Sequence, residues 1–132
     1  MKKKVLIISH DANPGGAQNS ILNFSKILSS IGFELHIILK QGGLLKEEFE
    51  KLGTCYMWNK LNIVNSNFLV RIINKFINLN YSYNLKITKK IIGFNPELCI
   101  STTITNHEIV KDFYQTKTKI ITWVHELSYM FS

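Results

Sequence analysis

The chain has 132 residues, 45% hydrophobic and 19% charged, which suits one compact domain with a real core and excludes a disordered chain. Its longest apolar runs are too short for a membrane-spanning helix. Sixteen Lys and Arg against nine Asp and Glu give a formal net charge of +7, which points to anionic partners or to a solvated lysine-rich surface.

The opening "MKKKVLIISHD" imitates a signal peptide, with three lysines ahead of an apolar stretch. That stretch is only Val5–Ile8 before polar Ser9 and His10, and no small-residue cleavage site follows. It reads as a first β-strand, so the expected compartment is the cytoplasm, with peripheral contact at the inner face of the membrane as a further option. "SHDANPGGAQNS" then makes an elbow before a helix over Ala17–Ile31, where Ala17, Ile21, Phe24, Leu28 and Ile31 recur at helical spacing and Gly32 supplies a stop. "FELHIILK" is a second strand. A short charged helix, Leu44–Leu52, ends at Gly53, and "TCYMW" is a third strand.

The middle is basic: no acidic residue falls between Glu50 and Glu97, while Lys51, Lys60, Arg71, Lys75, Lys86, Lys89 and Lys90 do. Leu69, Ile72, Ile73, Phe76 and Ile77 line one helical face, and a second helix is expected over Tyr83–Ile92, before Gly93 and Pro96. "ELCIST" is a fourth strand, a short helix covers Asn106–Tyr114, and "KIITWV" is a fifth strand. Cys55 and Cys99 lie in strand-like contexts with no second Cys or His at metal spacing, so both are expected as buried free thiols.

Strands apolar on both faces and alternating with helices predict an α/β, Rossmann-like parallel sheet with helices on both faces. Right-handed crossovers favour the strand order 3-2-1-4-5. Ligands in such sheets bind beyond the carboxyl ends of the strands where the chain reverses direction, here between strands 1 and 4. The loops meeting there are His10–Gly16, Thr102–Asn106 and the stretch after Val124 that begins His125-Glu126.

Known phosphate cradles fit this elbow poorly. There is no Gly-Lys-Ser/Thr, the Gly-x-Gly-x-x-Gly spacing is missing, and strand 2 ends in Lys40 rather than an acid for a ribose, which argues against nicotinamide or flavin. A plain Pro-Gly-Gly turn and an anion site at the exposed N–H groups of the following helix both remain open. No Gly-x-Ser-x-Gly elbow and no Asp-x-Asp pair is present. His36 reads as a satisfied core or edge histidine, His107 as a helix-terminal or a binding group, and His10 and His125 as the stronger site candidates.

Four stretches in matching order resemble the amino-terminal half of a GT-B glycosyltransferase of the retaining family four group. "SHDANPGGAQNSILNFSKILSSIGFELHIILKQGG" resembles its opening strand, Gly-Gly loop, helix and second strand; "LLKEEFEKLG", "NPELCISTT" and "WVHE" resemble later pieces. The resemblance implies a nucleotide-sugar co-substrate, no cofactor and no metal, and a glycan or lipid-linked acceptor received on this half. It carries Gly15 and Gly16 over as the loop facing the donor diphosphate and His125 as the catalytic residue near the reacting centre. His10, Asp11, Thr102, Thr103 and Glu126 are candidate acceptor-side contacts. The basic pair and the two glutamates that hold the donor belong to a carboxyl-terminal domain, and no such set is found here. Residues 1–132 are therefore expected to be a single acceptor-side domain, inactive without the donor domain or a partner subunit. The competing class is a stand-alone binding module that docks its basic middle on anionic membrane or on a separate catalytic subunit. Nucleic acid is not expected, since Arg71 is the only arginine and no reading motif is present.

Overall fold

The computed structural model describes residues 2–58 and 70–123. Five parallel strands form one sheet, β1 (Lys4–Ser9), β2 (Glu34–Leu39), β3 (Thr54–Met57), β4 (Leu98–Ser101) and β5 (Lys119–Thr122), in the order β3-β2-β1-β4-β5. The expected order is therefore the observed one. The helices are α1 (Gly16–Ser30), α2 (Lys46–Glu50), α3 (Val70–Phe94) and α4 (His107–Val110), the last flanked by single 3₁₀ turns over Ile104–Asn106 and Lys111–Phe113.

Period-2 alternation along the central strands splits their side chains between two cores. Val5 and Ile7 of β1 join Leu35, Ile37, Leu39 and Ile100 beneath α1 and α2, where Ile21, Leu22, Leu28 and Phe49 close the layer. Leu6 and Ile8 point the other way, with Ile38 and Cys99, and meet Ile87 and Ile91 of α3 and Ile109, Val110 and Phe113. β1 sits between β2 and β4, with Ile7 opposite both Ile37 and Ile100.

α1 ends where Gly32 adopts a left-handed φ of 97°, a conformation a side chain disfavours, and Phe33 N–H bonds back to Leu28 at 3.0 Å. The two helices expected in the basic middle are one continuous helix of 25 residues. The Asn-, Ser- and Tyr-containing segment Asn78–Tyr83 lowers helix propensity but holds neither Pro nor Gly, so nothing in it forces a break. The stop comes at Asn95, at φ 54°, followed by Pro96. The residues 68–69 and 124 of expected elements lie outside those described.

His36 is a satisfied, half-buried histidine, and it sits on an interior strand between β1 and β3 rather than at an edge. Its Nδ1 meets the Tyr56 hydroxyl at 3.1 Å and its ring stacks on Phe94 at 3.5 Å between centroids. Burial lowers its pKa from the ordinary 6.5, with Lys4 acting in the same direction and Glu34 against it. Both thiols are free, and burial pushes Cys55 up to about 11 and Cys99 to about 12. Among the described residues no helix is long and apolar enough to cross a membrane.

Two outcomes are expected. Phe49, fully buried, should cost about 3–5 kcal/mol as Phe49→Ala, read as a fall in the urea midpoint at constant slope. The unfolded chain protonates His36 more readily than the folded one, so the stability present above pH 6.5 is lost as pH falls through the lowered folded pKa. The thermal midpoint should therefore drop between pH 7 and pH 5, and drop less in His36→Gln.

Candidate functional site at the carboxyl ends of β1 and β4

Past Ser9 the chain leaves the sheet in a loop held mainly through its own backbone. Ser9 Oγ donates to Asp11 O at 2.8 Å, Asp11 Oδ1 accepts from Asn13 N–H at 2.9 Å, and Ala12 O accepts from Leu45 N–H at 2.7 Å. Gly43 lies directly against the Ala12 and Asn13 backbone, where a Cβ would collide with main-chain atoms. The β2–α2 connection thus backs the His10–Gly16 loop, and only glycine allows that approach.

At the elbow, Gly15 is the N-cap of α1, with an extended backbone and no side-chain cap, and the first turn has no acidic residue. The first N–H groups and the positive end of the helix dipole are left without an acidic or capping side chain of the helix's own. A Cβ on Gly15 would meet only the flexible end of Gln18, at 2.7 Å, and one on Gly16 would meet nothing within 4 Å. Internal packing makes no demand for glycine at Gly16.

On the other side of the switch point, β4 runs into a buried polar cluster. Asn106 is fully buried; its Nδ2 donates to Ser101 Oγ at 3.0 Å and to Ile8 O at 3.3 Å, the carbonyl just before the β1 loop. Ser101 Oγ donates to Thr103 O at 3.0 Å, and Thr103 Oγ1 accepts from Thr105 N–H at 3.3 Å. Thr102 and Thr103 are 5% and 6% exposed. Two buried polar atoms here have no hydrogen-bond partner among the described residues, His10 Nδ1 and Asn106 Oδ1. Unmet buried groups are uncommon and costly, so both are open valences at this edge.

Lys40 closes the arrangement. It follows β2, bonds through its N–H to Ser9 O at 3.1 Å, and reaches across to Glu108 at 2.8 Å and Thr105 O at 3.3 Å. Its side chain is 15% exposed, so the pair is better shielded than an ordinary surface bridge.

The structure therefore brings His10, Asp11, Gly15, Gly16, Thr102 and Thr103 to one edge of the sheet. His125 and Glu126 lie outside the described residues. His107, at the start of α4, pairs through Nδ1 with the Tyr114 hydroxyl at 3.2 Å. Sequence reasoning placed Asn106 in a loop at this edge without its buried role, and missed Gly43 and the Lys40–Glu108 pair. A lysine at a strand end was visible, but its partner lies 68 positions away, beyond what local spacing reports. Among the described residues no group of three or more His, Cys, Asp or Glu is placed to hold a metal ion.

Neither a protein-family model nor a curated protein matches this sequence. Solved structures do share its fold. The C-terminal domain of a hydrogenase from Pyrococcus furiosus superimposes in two structures, with TM-scores of 0.60 and 0.59 at 15% and 12% identity, covering 92% of this chain and 93% and 92% of theirs. A glycosyltransferase from Rickettsia africae superimposes with a TM-score of 0.56 at 17% identity, covering 92% of this chain and 30% of its own length. This chain is thus similar to about a third of that glycosyltransferase. At such identities the likeness shows a shared Rossmann-like α/β fold, a fold that serves many chemistries.

Replacing Asn106 by Leu would take the buried amide donor from Ser101 Oγ and leave Ile8 O with the Thr102 N–H alone, and is expected to cost about 1–3 kcal/mol in chemical denaturation.

Proposed function

We propose that this chain is the acceptor-side, amino-terminal half of a retaining, metal-independent GT-B glycosyltransferase. It would help move a sugar from a nucleotide-sugar donor to a surface glycan or lipid-linked acceptor. The observation that carries this reading is the bare elbow at the switch point. Gly16 has open space where a side chain would stand, at a helix N-terminus with no cap of its own, beside the open valences of His10 and Asn106. A diphosphate approaching Gly15 and Gly16 would meet backbone N–H donors, the arrangement that stabilises departing negative charge. The structural likeness to 30% of a glycosyltransferase adds support, since it leaves room for a donor-binding domain supplied by further sequence or a partner.

In this reading His10, Asp11, Thr102 and Thr103 face the acceptor, with Glu126 beside them, and His125 lies at the reacting centre. The helix dipole contributes only about 0.3–1 kcal/mol at an exposed site, so in this reading donor holding calls for a second, donor-binding domain. Transfer by this chain alone would overturn the half-enzyme reading.

Gly16→Ala separates function from fold. Because the added methyl meets nothing, stability should hold or rise by about 0.4–1 kcal/mol in thermal unfolding. Measured in the chain joined to its donor domain, across a panel of nucleotide sugars, the same change should raise donor KM, and His125→Ala should lower kcat about 100-fold or more. Unchanged donor KM in Gly16→Ala would remove the elbow from the reaction.

A further inference from the structure

Two cavities among the described residues open at the opposite edge, where the strands begin. One, of about 540 Å³, is bordered by Lys3 and Lys4 ahead of and within β1 and by Lys117 and Lys119 at β5, with Phe33 and Leu98 also in its lining. Main-chain bonds draw the three strand starts together, Glu97 N–H to Lys4 O at 2.9 Å and Lys119 N–H to Glu97 O at 3.0 Å. A second hollow, of about 660 Å³, shares Lys3 and Phe33 with the first and continues past Gly32 to Lys2 and the exposed Ile31. The two together make one concavity, lined by apolar residues and by five lysines, with Glu97 as the one acidic residue of the lining.

The charge here exceeds what the fold needs. α1 and α3 both end at this edge, and each carboxyl terminus carries roughly half a negative charge. Glu34 and Glu97 are the acidic side chains nearby. Against these stand Lys2, Lys3, Lys4, Lys117 and Lys119, which leaves a surplus of about two positive charges. Among the described residues none of the five forms an ion pair, and Lys4 Nζ sits 5.4 Å from the Phe94 ring centre. A flat polyanion would use the lysines and waste the apolar residues. An anionic head on a short apolar body uses both, the head among the lysines and the body along Leu98, Phe33 and Ile31.

We propose that this edge is a binding site for an amphiphilic phosphate, separate from the site at the carboxyl ends of the strands. The phosphate sits among Lys3, Lys4, Lys117 and Lys119, and the apolar tail follows Phe33 toward Ile31. Nothing in this proposal depends on the glycosyl-transfer reading, and its failure would leave that reading untouched.

Octyl phosphate below its micelle concentration, titrated into the ¹⁵N-labelled chain, tests it. The expected result is a saturable amide shift confined to residues 2–5, 31–33, 95, 97, 98 and 117–119. The double variant Lys117→Glu, Lys119→Glu changes two exposed side chains outside any hydrogen bond and should keep the fold by its amide spectrum. It should bind at least about tenfold more weakly. No shift at this edge, an equal response in the double variant, or an equal response to inorganic phosphate at the same concentration would each overturn the proposal. Co-sedimentation with equimolar phosphatidylglycerol–phosphatidylcholine vesicles then assigns the source. Binding that the double variant loses places the head group in a bilayer, and absence of vesicle binding by the unmodified chain places it on a free amphiphile.

Discussion

The pairing of β1 on both sides governs this molecule. One connection leaves β1 to build outward through β2 and β3, and a later one returns to build outward through β4 and β5. Because the crossovers depart in opposite directions, the end of β1 is the topological switch point of the sheet, the position at which sheets of this kind take their ligands. Every residue of the candidate site that is described takes its place from that reversal. The apolar run Val5–Ile8 is fully enclosed because it serves both cores, one face to each.

Polar chemistry at such a position needs support, and this chain supplies it from the backbone. The Ile8 carbonyl accepts from Thr102 N–H at 3.1 Å and from Asn106 Nδ2 at 3.3 Å, so one acceptor near the end of β1 holds two donors of the turn after β4. Lys40 ties the end of β2 to the same turn through Glu108 and Thr105. Three strand ends are thereby tied by hydrogen bonds as well as by apolar packing. A shift of one would strand buried polar groups on the others, which gives the edge its rigidity.

The strands and their order were legible in the sequence because they follow from short-range pattern. Apolar runs such as "KVLIIS" and "HIIL" have the length and continuity of buried parallel strands, and the alternation with helices leaves few topologies. The continuity of α3 was not legible, since Asn78–Tyr83 weakens helix propensity locally while burial of Ile87 and Ile91 decides the outcome from a distance. Asn106 looked like a helix start and proved to be the buried centre of a network whose other members are Ile8 and Ser101. Gly43 read as part of a turn, and its reason is contact with Ala12 and Asn13, thirty positions earlier. Side chains whose role is set by partners far along the chain carry no signature of their own.

That contact at Gly43 also separates shape from chemistry in the site. The His10–Gly16 loop is braced by glycine against main chain and by the Leu45 N–H on the Ala12 carbonyl, neither of which reads the identity of a loop side chain. Positions 10 and 13 are therefore free to change residue type while the path of the backbone persists. Substitution at those positions alone would change the chemistry of this edge with no new loop to fold.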